Sequence, residues 1–224
     1  MGQSINTTGL LLQYNKNWIS KWYNDHNYTY IIHEDILIRN YIKNIFNKLN
    51  LYFSKCIIKR SVNKIYIYVN IYSKKRKENI NDKKNKNILN NEQIKLILNN
   101  IMKITNNKVI VVIKVTDVFD AQIIAQYIVR KLEIRNSFQN IFNKILNKIN
   151  KLNKLNFKLN KSKIFKGFRI QCSGRPSGSD MANIQWFKYG QIPLHTYSYK
   201  IDYAYATALT KYGLSGVKVW LSYI

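Results

Sequence analysis

Apolar residues recur along this chain with two periods, about 3.6 and 2. From Glu34 onward, Ile38, Tyr41, Ile42, Ile45, Phe46 and Leu49 fall at helical spacing, with Lys43 and Lys48 on the polar side. Asp35 then lies in the first turn, where a carboxylate suits the helix dipole. Residues 54–72 predict two strands. Ile65, Ile67, Val69 and Ile71 alternate there with Lys64, Tyr66, Tyr68, Asn70 and Tyr72. Gln93 to Thr105 predicts a helix with Ile94, Leu96, Ile97, Ile101 and Ile104 on its apolar side. Lys108–Val115 is a continuous apolar run, as expected of a strand buried on both faces.

The second half repeats the alternation of types. Asp117 predicts an N-cap for a helix carrying Ile123, Ile124, Tyr127, Ile128 and Leu132. The most amphipathic segment follows at 137–155. Ile141, Phe142, Ile145, Leu146, Ile149 and Leu152 share one arc, and Lys144, Lys148 and Lys151 flank it. Phe168, Ile170 and Cys172 alternate with Arg169, Gln171 and Ser173, the pattern of a half-buried strand. Residues 183–196 predict two strands around Gly190. Residues 199–213 predict a strand end and a short helix closed by Gly213. At the end, Val217, Val219 and Leu221 take one face, Lys218 and Trp220 the other. The fold class is α+β. The expected organisation is an extended tail over 1–16, a domain over 17–116, and a second unit over 117–224.

Charge narrows the function. The 224 residues carry 37 Lys+Arg against 11 Asp+Glu, a net +26. So large an excess repels itself, and it makes sense beside a polyanion. Nucleic acid is the first candidate and an anionic membrane surface the second. No apolar run reaches the ~20 residues of a membrane span. Arg is scarce, seven against thirty Lys. Lys holds phosphates but lacks the fork that reads base edges, so backbone and shape recognition are expected. The low-complexity loop 73–91 gathers Lys74, Lys75, Arg76, Lys77, Lys83, Lys84 and Lys86.

Lys, Asn and Ile make up roughly two-fifths of the chain, a bias that points to an AT-rich genome such as an organelle's. The first residues show no signal-peptide architecture, and Asn6 stands where N-myristoylation expects Ser or Thr. A chain without an import sequence is expected to be made inside the organelle. Cys56 and Cys172 lack metal-ligand spacing and are expected as buried thiols. His26, His33 and His195 show no metal spacing either. Ser177, His195 and Asp202 are a conceivable triad by residue type, but nearness in sequence is not geometry. His195 is better explained as a structural residue, and Asp117 with Asp120 as helix-terminal carboxylates rather than a metal pair. No catalytic residue, metal or cofactor is expected.

The chain has eight glycines and two prolines. Four of the glycines and both prolines lie in 167–196, and none of the glycines lies between Leu10 and Lys166. That region holds the most specific motifs. "SGRPSG", "QWFKYGQIPLHT", "KIDYAYA" and "KYGLSGVKVW" resemble the C-terminal domain of the third protein of the small ribosomal subunit, bacterial type. Matching positions are Ser173, Gly174 and Arg175; Trp186, Gly190, Pro193, Leu194, His195 and Thr196; Asp202 and Tyr203; and Tyr212, Gly213, Gly216, Val217, Lys218 and Trp220. The start, "MGQSINTTGLLLQYNKNWISKWY", is similar to that family too.

The resemblance implies an N-terminal type II KH-like domain, matching the order helix, strand, strand, loop, helix, strand, and an α/β C-terminal domain over 117–224 with helices packed on a sheet. It implies a place in the small-subunit head, with rRNA, ribosomal proteins ten and fourteen, and mRNA where it enters the subunit as partners, and no membrane. The family's GXXG loop is replaced by the Lys-rich stretch. Three basic family positions are softened to Asn183, Lys188 and Gln191. Of the positions matching the family's mRNA-facing cluster, Gln139, Asn140, Asn143 and Lys144, only Lys144 is basic, so weak unwinding of mRNA is expected. RNA contacts are expected from Lys144, Lys148, Arg169, Arg175, Lys188, Lys200 and Lys218 besides the loop. The compact length tilts the expected location to a plastid-type ribosome, such as an apicoplast's, over a mitochondrial one. The alternative is a free-standing KH-type protein that binds single-stranded RNA.

Overall fold

A computed structural model describes residues 6–12, 14–61, 64–72, 91–105, 108–115, 120–158 and 165–223. The elements run α1 (Thr7–Leu11), β1 (Ser20–Lys21), α2 (Tyr28–Lys48), β2 (Tyr52–Arg60), β3 (Lys64–Tyr72), α3 (Asn91–Thr105), β4 (Lys108–Val115), α4 (Ala121–Glu133), α5 (Phe138–Lys158), β5 (Phe165–Gly174), β6 (Asn183–Gly190), β7 (Lys200–Thr210) and β8 (Gly213–Tyr223). They form two compact units. One is Trp18–Phe119, and the other joins the residues up to Asn17 with those from Asp120 onward.

The Trp18–Phe119 unit is a four-stranded sheet in the order β1-β2-β3-β4. β2 and β3 are antiparallel, while β4 runs parallel to β3 and β1 parallel to β2. The alternation expected in β3 is realised: Ile65, Ile67, Val69 and Ile71 are buried. They meet Ile38, Ile42 and Phe46 of α2 and Ile97 and Ile101 of α3.

Three expectations fail in this unit. α2 begins at Tyr28, so Asp35 lies in its second turn. The added residues escaped detection because Tyr28 and Tyr30 are exposed and extend no apolar stripe. Leu96 is 62% exposed, because the stripe of α3 that meets the core is narrow. β4 is an edge strand with Ile110 exposed, not a strand buried on both faces. Apolar residues on an open face look the same in sequence as those on a covered one.

The other unit holds an antiparallel sheet in the order β6-β5-β8-β7. α4 lies against β7 and β8, α5 against β5. Phe142 of α5 stacks on Phe168 and Phe187, with ring centroids 5.3 and 4.9 Å away. Buried Ala204 and Ala208 leave room on β7 for α4. The same alanines explain a correction. Residues 199–213 were expected to form a strand end and a short helix, and alanine favours a helix locally. β7 pairs instead with β8 along its whole length, and the tertiary partner overrides propensity. Gly213 does take a positive φ of 115°, but it ends a two-residue hairpin turn rather than a helix. Only one strand stands where two were expected around Gly190, because the 191–196 segment turns instead of pairing.

The expected extended tail is partly helical. Asn6 caps α1 by accepting from the Thr8 amide at 3.0 Å, and Leu11 is buried. Its partner strand, β7, lies nearly 200 residues away, beyond the reach of a local pattern. The Asp117 cap lies outside the described residues; α4 instead begins after Asp120.

Candidate nucleic-acid interface

The C-terminal sheet has one covered face and one that neither α4 nor α5 packs against. Cross-strand register decides which side chains share the second. Arg169 on β5 lies opposite Lys188 on β6 and Trp220 on β8. Gln171 lies between Trp186 and Lys218 in the next row. Tyr203 and Tyr205 of β7 continue these rows beyond Trp220 and Lys218. The Arg169 guanidinium sits 5.1 Å from the Trp186 ring and 5.3 Å from the Trp220 ring. Tyr203 packs on Trp220 with centroids 5.4 Å apart, and burial raises its phenol pKa. Trp186 is 55% exposed and Tyr205 52%. Arg169 Nε is buried and has no hydrogen-bond partner among the described residues. The one acid of the four strands, Asp202, points to the helix side with Ala204. The open face thus combines guanidinium, ammonium and aromatic rings with no carboxylate among the described residues.

The expected RNA contacts divide accordingly. Arg169, Lys188 and Lys218 share this face. Lys144 is exposed on α5, and Lys148 lies 4.4 Å from the Tyr127 ring, both on the helical side of the sheet. Arg175 donates from Nε to the Ser179 carbonyl at 2.6 Å and sits 5.7 Å from the Tyr212 ring. Lys200 is exposed at the start of β7. Lys74, Lys75, Arg76, Lys77, Lys83, Lys84 and Lys86 lie outside the described residues. Trp186, Tyr203 and Tyr205 were missed as partners of these cations. Alternation in each strand was visible, but the cross-strand register that assembles them was not.

The carboxylates take structural work. In the Trp18–Phe119 unit, buried Asp35 accepts from Arg60 Nη2 at 2.6 Å, Arg60 Nε at 3.0 Å, Ser20 Oγ at 2.7 Å and Trp22 Nε1 at 2.9 Å. Arg60 Nη1 donates to buried Glu34 at 2.6 Å. This clasp replaces the helix-dipole role expected of Asp35. It ties β1 and the end of β2 to α2. Adjacent acids in a chain with so few of them were the available signal.

In the other unit, Asp202 accepts from Lys16 at 3.3 Å and from the Ala121 amide at 3.1 Å, serving the start of α4 rather than an imidazole. Burial and the nearby Asp202 and Asp120 charges push the Tyr223 phenol pKa well up. His195 is exposed, contrary to a packed structural role, because it sits in the turn after β6. Cys56 and Cys172 are buried and free, as expected. Burial pushes their pKa values up to about 12 and about 11. Among the described residues, no three His, Cys, Asp or Glu side chains gather as a metal site. No described helix is long and apolar enough to cross a membrane.

Comparison with known proteins decides what frame this face belongs to. Residues 128–221 match the family described as ribosomal protein S3, C-terminal domain. The small ribosomal subunit protein uS3 of Ehrlichia chaffeensis is 34% identical over 224 residues, covering 99% of this chain and 95% of that protein. The chain belongs to the ribosomal protein S3 family. Myxococcus xanthus uS3 is also 34% identical, over 99% of this chain and 91% of its own length. Anaeromyxobacter sp. uS3 is 35% identical over 99% and 90%. Similarity to uS3 thus spans both units, beyond the C-terminal match, and these named relatives are proteins of the small ribosomal subunit.

Proposed function

We propose that this chain is a structural constituent of the small ribosomal subunit that binds rRNA and neighbouring ribosomal proteins and catalyses nothing itself. The observation that carries this reading is end-to-end similarity to uS3, in a chain whose +26 charge calls for a polyanionic scaffold. Its place is the subunit head, beside ribosomal proteins ten and fourteen and where mRNA enters. Trp18–Phe119 acts as a KH-like RNA-binding domain, a reading supported by the order α2-β2-β3-α3-β4. Lacking a GXXG loop, it attracts phosphates through the Lys-rich 73–91 stretch. The domain boundaries 16/17 and 116/117 belong to the same reading. The Lys-, Asn- and Ile-heavy composition supports synthesis and use in an organelle, plastid-type first and mitochondrial second.

Sucrose-gradient sedimentation of the endogenous protein tests this. Comigration with small subunits is expected. A soluble, solitary, RNA-binding population would favour the free-standing KH-type reading. Two finer measurements follow. Replacing four of the loop lysines with Gln flattens the dependence of log affinity on log salt by about 0.7 per lysine on single-stranded RNA. With Gln139, Asn140 and Asn143 uncharged, translation through a stable mRNA hairpin stalls more than on a bacterial ribosome.

A further inference from the structure

The open face of the C-terminal sheet is built for more than phosphate attraction. Arg169 is held between two indoles, which fixes its guanidinium plane without using an acid. The side chain is half-buried, with its Nε enclosed beneath the face. Trp186 stands beside it more than half exposed, and Tyr205 stands opposite Lys218. Exposed rings interleaved with cations suit a polyanion that also carries flat apolar groups. A protein partner matched to this face would need acidic and aromatic groups together, whereas unpaired RNA carries phosphate and base in every nucleotide.

We propose that this face binds a single-stranded segment of RNA. One base stacks on Trp186, a base further along the strand lies over Tyr205 three strand spacings away, and phosphates or base acceptors meet Arg169, Lys188 and Lys218. Base stacking on exposed aromatics tolerates any sequence, and the point charges of Lys track the backbone. The inference rests on the ribosomal reading above but assigns the contact to one surface and to unpaired nucleotides.

The test uses the full chain, a 12-nucleotide oligouridine, and an RNA duplex of equal phosphate count. Trp186→Ala is expected to weaken oligouridine binding by about 5- to 100-fold and to leave duplex binding unchanged. Trp186→Phe restores most of the loss, because a ring remains. Lys188→Gln with Lys218→Gln lowers the salt slope, whereas Trp186→Ala does not. In assembled small subunits, ultraviolet cross-links from Trp186 or Tyr205 run to RNA. Equal effects of Trp186→Ala on oligouridine and duplex, no effect on either, no rescue by Phe, or cross-links from this face to protein would each overturn the proposal. Failure to comigrate with small subunits is a different result, and it overturns the ribosomal reading instead.

Discussion

The two units build similar apolar cores and differ in where the backbone needs glycine. Each is a four-stranded sheet with two helices on one face. The Trp18–Phe119 unit contains no glycine, and its core is mostly isoleucine, from Ile38 and Ile42 through Ile65, Ile67 and Ile71 to Ile97 and Ile101. The other unit also buries isoleucines, such as Ile124, Ile145 and Ile170, beside phenylalanines and alanines, and it holds all eight glycines. Where a position asks only for an apolar side chain of suitable size, isoleucine serves. Gly190 shows what resists replacement. Its φ is +71°, and an added Cβ would lie 2.3 Å from the Lys166 carbonyl oxygen. Compositional drift can fill the first kind of position and not the second.

Substitutions break this contrast in a graded order. Gly190→Ala combines backbone strain with a backbone clash and is expected to cost about 5 kcal/mol, seen as loss of cooperative melting. A change under about 1 kcal/mol would remove the steric explanation. Arg60→Leu leaves Glu34 and Asp35 buried without their cation and costs about 4 kcal/mol in urea denaturation. Gly213→Ala meets no atom within 4 Å, so only its φ of +115° opposes the change, at about 1–3 kcal/mol. Ile67→Val, in the tolerant core, costs about 1 kcal/mol. If it proved worse than Gly213→Ala, the contrast between units would collapse.

The smallest effect concerns pH. Both thiols hold their protons more tightly when folded, to about 12 for Cys56 and about 11 for Cys172 against an ordinary 9.0. Above pH 9 the unfolded chain loses these protons first, so their contribution to stability falls as pH rises towards the folded values. Below pH 9 it is fully present. Iodoacetamide at pH 8 should therefore modify both thiols far more slowly in the native chain than in urea; equal rates would remove the burial argument.

Legibility in the sequence followed the range of the interactions. β3 and β5 were visible because alternation is a property of adjacent residues. α5 was visible because its stripe of Ile141, Phe142, Ile145 and Ile149 is long and its other faces are polar. β7 was not, since its alanines favour a helix until β8 is supplied. β4 was taken as fully buried because the sequence does not show which sheet face is open. In the candidate interface, Arg169 and Lys218 were identified one by one as cations. Trp186 and Tyr205 joined them only through register, which depends on pairs as far apart as Arg169 and Trp220. The Arg60 clasp was hidden for the same reason.

One feature of connectivity bears on how the chain is made. Lys16 reaches Asp202 and the Asn15 side-chain amide reaches the Tyr197 carbonyl, so a segment before Trp18 is fastened to one far behind it in the chain. During vectorial synthesis, Trp18–Phe119 is complete as a unit while the segment before it still lacks its binding strand. The segment carrying Asn15 and Lys16 must wait, tethered and unsatisfied, until β7 emerges. Truncated nascent chains ending before residue 200 should leave residues 7–16 open to protease, and chains extended through β7 and β8 should close that window.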